Sequence, residues 1–358
     1  MYATAVAYSG ARWAPQMTAA VATGQTVKHG VFWSALNSAL SRAGQFAIGI
    51  VIARLISPRE FGVFVVALTV YTIVVNISEI GVGSALIREV EREQEIAPTV
   101  TTIALATSGV LACAMVAMAS PLASVLGAHQ ATDAIRVLAL TVLLAGPSAV
   151  PAALLTRDYK QDRRLVADMS NFVVANGVLI VAALLGGGVM ALAWSRVAGQ
   201  LASTLALLAM TKRRYLPGFD RTEARALIRF GLPLAGANLI SFTLYNVDFI
   251  IVGHSLGPLP LGLYNLAYNI SSWPVNVFST VLASVALPTF SRARAEATRL
   301  ARQVRLALAG ITSLAFPVSA LTFALSKPLV VAVYGDRWQG AAGVLEALAL
   351  FGAVRVVI

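Results

Sequence analysis

Five ionisable residues stand where ionisable residues are expensive. Arg42, Glu79, Arg196, Asp248 and Arg355 each fall inside a long apolar run. A charge at the centre of a membrane-spanning helix costs about 2.5–3.5 kcal/mol on insertion scales, so each needs a partner or a task. A guanidinium presents forked donors that suit phosphate or carboxylate, and Arg42 and Arg196 read as a binding surface for an anion. The competing reading pairs these arginines with Glu79 or Asp248 as helix glue, or lets them extend to an interface. Glu79, Asp248 and Arg355 read as coupling or structural charges; Asp248, near the outer end of its run, suits a proton or cation site as well as an interfacial carboxylate.

Neutral polar residues follow the same runs at helical spacing. Ser34, Ser38, Ser41 and Gln45 recur every three or four residues, with Asn37 and Arg42 beside them. Thr72, Asn76 and Glu79 form a second stripe, Asn238, Ser241, Tyr245 and Asp248 a third, and Asn265, Asn269, Ser272, Asn276 and Ser279 a fourth. A lone Asn in such a run is more often interhelical glue than a ligand contact. Four matched stripes predict wet helix faces turned towards one another around a central cavity. Tyr245, Trp273 and Trp338 read as interface anchors or packing residues, and His29, His129 and His254 as solvated loop residues.

Helices must carry these stripes. The 358 residues are 58% hydrophobic and 12% charged, against about a quarter charged in a soluble domain. Ten apolar windows fall near 31–52, 62–86, 98–121, 134–155, 165–186, 189–210, 230–252, 261–287, 306–326 and 341–358. They are too long and alternate too little for barrel strands, so the predicted fold class is an all-α polytopic membrane protein. The net charge of +11 has a topological reading. With the N-terminus inside, nineteen of the 27 Lys and Arg residues fall on cytoplasmic segments and five on the opposite face. The charge therefore implies membrane lipid headgroups as neighbours rather than nucleic acid. One cysteine, Cys113, excludes an internal disulfide or a cysteine metal cage. Phosphate-loop, zinc-protease and serine-elbow motifs are absent, which leaves neither catalysis nor ATP use to this chain. No cofactor is expected beyond a coupling proton or sodium ion.

Shifting the chain by 200 residues aligns the first two windows with the seventh and eighth without a gap. Residues 31–85 and 231–285 share nine identities, including Ser41 with Ser241, Pro58 with Pro258, Gly62 with Gly262, Ala67 with Ala267 and Asn76 with Asn276. A six-span repeat crosses the membrane twice in the same sense, predicting two pseudo-symmetric bundles related by an axis along the membrane normal. The expected organisation is a cytoplasmic tail over 1–29, a six-helix bundle over 30–211, a cytoplasmic linker over 212–229 with Asp220 as a helix cap, and an incomplete second bundle over 230–358. The last window ends without flanking charges, which reads as a shortened chain.

The segments ARLISPREFGVFVVA (53–67), GVGSALIRE (81–89) and IRFGLPLAGANLISFTLYNVDFIIVGHSLGPLPLGLYNLAYNI (228–270) resemble the polysaccharide-transporter branch of the multidrug/oligosaccharidyl-lipid/polysaccharide exporter superfamily, the Wzx-like flippases. The Pro58-x-x-Phe-Gly62 pattern, with Asn246, Asp248 and Gly262, carries most of the likeness. Members have about twelve to fourteen helices, so ten implies a truncated chain. The resemblance implies a flippase of the bacterial inner membrane. It would move a lipid-diphosphate-linked oligosaccharide from inner to outer leaflet for surface-polysaccharide synthesis, alongside polymerase and assembly proteins. On that reading Arg42 and Arg196 contact the diphosphate, and Asn37, Gln45, Asn76, Asn238 and Asn269 face sugar hydroxyls. The alternatives are a drug or cation exporter of the same superfamily and, lower, a membrane glycosyltransferase or polymerase.

Overall fold

The computed structural model describes residues 44, 48–78, 86, 93–158, 160–211, 215–272 and 297–355. Among them every regular element is a helix, and the protein is multi-pass in a membrane. In chain order these are α1 (48–55), α2 (Pro58–Ser78), α3 (Glu93–Ala117), α4 (Ala119–Val125), α5 (Thr132–Arg157), α6 (Gln161–Leu184) and α7 (Gly188–Met210). Then follow α8 (Arg221–Leu256), α9 (258–272), α10 (Ala297–Ala324), α11 (Ser326–Tyr334) and α12 (Ala341–Arg355).

Ten spans are expected, and five described helices are long and apolar enough to cross a membrane, or six if a bent pair is one span. The difference has local causes. Arg196, Gln200 and several hydroxyls dilute α7, α12 is short, and the first and eighth windows lie partly outside the described residues. The bent pair is α10 with α11, which meet at 73°. What reads as a loop over 327–340 is thus largely a short helix across the end of the bundle. The linker also differs from expectation in form. From Arg221 onward it is the start of α8, a helix of 36 residues and roughly 54 Å, longer than the ~30 Å hydrocarbon layer. Asp220 Oδ1 accepts the backbone N–H groups of Thr222 (2.7 Å) and Glu223 (3.1 Å), which sets that start. Gly218 and Asp220 tie the segment to α3 through Pro98, Thr99 and Thr102, and Ala224 and Leu227 bury against Ile96, Val100 and Leu154.

The seam between the two repeats is built at the predicted outer face. Ser57, Pro58 and Glu60 start α2 as a capping box: Ser57 N–H and Oγ donate to Glu60 Oε2 at 3.0 and 2.7 Å, and Pro58 occupies the first helical position, where no N–H is required. The helix then meets α9 backbone to backbone. A methyl group on Gly62 would lie 1.7 Å from the Pro258 carbonyl oxygen, and one on Gly262 would lie 2.1 Å from that of Pro58. The contact is reciprocal, as two-fold-related copies would make it. Pro58, Gly62, Pro258 and Gly262, which align at an offset of 200, are thus residues that touch. Beneath the crossing lies the largest apolar cluster, which joins α2, α4, α5 and α7 to Phe249 and Leu261 of the second repeat.

A second correspondence, at 208 residues, joins the short helices. α4 ends at Gly127 (φ 72°) and a turn of 3-10 helix over His129–Ala131; α11 ends at Gly335 (φ 97°) and a 3-10 turn over Asp336–Trp338. Each leads directly into a long or apolar helix, α5 or α12.

Replacing Gly62 or Gly262 by Ala forces the two backbones apart. Each is expected to lower stability by about 1–3 kcal/mol, read as a drop in melting temperature of the detergent-solubilised protein. Gly177→Ala in α6, where nothing lies within 4 Å of an added Cβ, serves as the neutral reference.

Candidate functional site: a separated pair of charges

Arg196 stands on α7 within a stripe of its own. Gln200 and Thr204 follow at four-residue intervals; Gln200 Nε2 donates to Thr204 Oγ1 (3.4 Å), which donates to the Leu144 carbonyl of α5 (3.3 Å). Arg196 is exposed to solvent in the membrane-free structure although Ala193, Val197 and Gly199 around it are buried. Its electrostatic neighbour is the Tyr71 phenol of α2. Among the described residues it forms no ion pair, so the helix-glue pairing with Asp248 is not made. Asn171 of α6 lies beside Gly199, its Oδ1 2.9 Å from where a Cβ would be. Asn76 is half-buried on α2, with its Nδ2 donating to the Thr72 carbonyl of its own helix (2.8 Å).

Asp248 occupies the second repeat. Its Oδ2 accepts the Tyr264 hydroxyl of α9 in a short hydrogen bond, while Oδ1 is buried with no partner among the described residues. Phe249 stands edge-on to Tyr264 and Tyr268, at centroid distances of 5.3 and 5.1 Å, and those two rings stack at 6.3 Å. The ring that donates to Asp248 thus belongs to a cluster of three aromatic residues, and the carboxylate has one satisfied oxygen among the described residues. Asn238 is half-buried on α8, and Asn269 is exposed on α9, bonded to Asn265 through both the carbonyl (2.9 Å) and Oδ1 (2.8 Å). Arg42, Asn37, Gln45 and Glu79 lie outside the described residues, and Arg355 ends α12 without a described side chain.

Charge also gathers at the predicted cytoplasmic ends. Lys160 Nζ lies 2.7 Å from Asp158 Oδ2 and, with Arg157, holds that carboxyl below its ordinary value against the opposing effect of burial. Arg163 donates to the Met210 carbonyl (2.8 Å) and closes the end of α7.

The structure therefore adds Tyr71, Asn171, Gln200, Thr204 and Tyr264 to the residues expected from the sequence. The four-residue spacing of Arg196, Gln200 and Thr204 was available in α7; Tyr264 gave no signal, because an aromatic in an apolar run reads as packing.

The comparison that decides the family is the match of residues 51–343 to the model for polysaccharide biosynthesis proteins. The chain belongs to that family. It is similar to the succinoglycan biosynthesis transport protein ExoT of Rhizobium meliloti, 30% identical over 91% of this chain and 66% of the relative. It is also similar to the teichuronic acid biosynthesis protein TuaB of Bacillus subtilis (25%, 78% of this chain and 58% of the relative) and the lipopolysaccharide biosynthesis protein WzxC of Escherichia coli (21%, 92% and 67%). The chain spans 58–67% of the length of these relatives. Among solved structures, the fold is similar to the lipid II flippase MurJ in an inward closed conformation, at a TM-score of 0.74, 13% identity and coverage of 91% of this chain and 74% of that one. An inward-facing multidrug resistance MATE family transporter of the MOP superfamily follows at 0.63, 17%, 88% and 80%. The all-helical transporter fold of this family is thus established.

Tyr264→Phe leaves both Asp248 oxygens without a partner among the described residues and is expected to cost about 1–3 kcal/mol of stability. Adding Asp248→Leu should recover most of that loss, because the stranded polar group is gone; a double-mutant cycle on melting temperatures checks it.

Proposed function

We propose that this chain forms the greater part of a flippase of the bacterial inner membrane, with its N-terminus cytoplasmic, that carries a lipid-diphosphate-linked oligosaccharide from the inner to the outer leaflet. One observation carries the reading: Arg196, within the sixth apolar window, forms no ion pair among the described residues, is exposed, and is set beside Gln200, Thr204 and Tyr71. Moving an ionised headgroup through hydrocarbon is prohibitive, so the headgroup needs a wet path with cations while the tail stays in lipid. A forked donor matches a diphosphate; amides such as Asn76, Asn171, Asn238 and Asn269 match sugar hydroxyls. Arg42, Asn37 and Gln45 extend the same set on the sequence argument. Relatives named for succinoglycan and lipopolysaccharide biosynthesis support this substrate class, and polymerase and assembly proteins of such a pathway are the expected partners.

With the interior negative, outward movement of each anionic charge gains about 2.3 kcal/mol per 100 mV, so the potential itself drives the step. Asp248 is the candidate for a coupling proton or sodium ion. The aromatic cluster around its partner Tyr264 also favours a second reading, an exporter of organic cations, because rings and a carboxylate together suit a cation.

The test is transfer of a fluorescent lipid-linked sugar between leaflets of vesicles holding the purified protein. Arg196→Gln is expected to slow transfer at least ~10-fold and Arg196→Lys to retain part of it, since one good charge-assisted contact is worth about 1.5–3 kcal/mol. Asp248→Asn should abolish the response of transfer to an imposed ion gradient. Unchanged transfer in Arg196→Gln removes the diphosphate site, and raised drug resistance without sugar-lipid transfer supports the exporter.

A further inference from the structure

The two short outer helices, α4 and α11, end on carbonyls that helical geometry leaves without intrahelical donors. In α11 the Gly335 N–H bonds back to Val330 and Val331, leaving Ala332 and Val333. Arg54, in the last turn of α1, donates Nη2 to those two carbonyls at 3.2 and 3.5 Å. In α4 the following N–H groups bond back to Leu122, Ala123 and Ser124, leaving Val125. Its carbonyl lies 2.5 Å from Nδ1 of His254, in the last turn of α8, so Nδ1 carries the hydrogen.

The arrangement is an exchange. α11 belongs to the second repeat and is capped by the first; α4 belongs to the first and is capped by the second. Arg54 and His254 differ by 200 in number, Val125 and Val333 by 208, the offsets that relate the two repeats. Two further contacts lie at the same places: the Trp338 indole N–H donates to the Ala53 carbonyl (2.8 Å), and a Cβ on Gly127 would lie 2.7 Å from the Gly253 carbonyl oxygen.

We propose that these exchanged helix caps are the latch that holds the outer face of the transporter shut. Resting on the flippase reading above, in which the interior opens alternately to either side of the membrane, the proposal gives Arg54 and His254 a role that neither substrate contact nor topology supplies. A side-chain donor at a helix C-terminus satisfies carbonyls that the helix leaves open and is aligned with its dipole, and both caps exist only while the bundles meet. An interaction present in one state and absent from the other shifts the equilibrium by its whole free energy. Each cap therefore biases the same closed–open equilibrium, and their effects multiply.

Spin labels at Ser124 and Leu256, on opposite sides of the seam in a Cys113→Ser background, report the opening by pulsed-EPR distances in lipid nanodiscs. Arg54→Gln and His254→Gln are each expected to raise the long-distance population roughly threefold to tenfold, and the double variant by the product. The exchanged pair Arg54→His with His254→Arg restores the closed distribution, because the two sites are equivalent. An unchanged distribution in the double variant overturns the latch, as does an exchanged pair that stays open with an unaltered melting temperature. Wild-type protein that transfers no lipid-linked sugar, while its distances still shift on cap removal, counts against the flippase reading and leaves the latch standing.

Discussion

A backbone polar group in hydrocarbon must be satisfied within the protein, and two helices can cross at backbone contact only where neither carries a side chain. The crossing of α2 and α9 at Gly62 and Gly262 meets both demands. Each helix begins with a proline, which lacks the N–H that a helix start leaves unpaired, and the Pro58 and Pro258 carbonyl oxygens lie against the opposing glycine. Because the contact is made once from each repeat, it fixes where the two bundles meet. The capping box of Ser57 and Glu60, the apolar cluster below and the caps on α4 and α11 all lie around that point.

The seam also fixes what the interior can do. Among the described residues, the cation of the first repeat and the carboxylate of the second form no ion pair with one another. Arg196 turns to Tyr71 and Asp248 to Tyr264. Had the two charges met, they would have neutralised one another and left no field for an anionic headgroup. Their separation leaves a guanidinium in one repeat and a carboxylate in the other, each with its own tyrosine neighbour.

Much of this was legible in the residues, and the misses have physical causes. Helical class followed from run lengths, and the offset of 200 named the Pro and Gly pairs that touch. The second correspondence was hidden by a length change: Pro121-Leu122 precedes Gly127 by four intervening residues, and Pro328-Leu329 precedes Gly335 by five, so a comparison without gaps loses it. Arg54 read as a topology charge and His254 as a solvated loop residue, because a sequence shows the end of one helix but not the carbonyls of another brought beside it. Arg196 and Asp248 were found through the cost of their charge; Tyr71 and Tyr264 were missed because an aromatic residue carries no such cost.

The central claim is that the stripe around Arg196 faces water inside the membrane, on a path closed at the seam. Labelling of Arg196→Cys, in a Cys113→Ser background, with a membrane-impermeant thiol reagent tests it most directly. Reaction from the side that carries Arg157, Lys160 and Arg163, and none from the side of Gly62 and Gly262, is the predicted result. Reaction only with a lipid-soluble reagent would place the stripe against acyl chains and contradict the account.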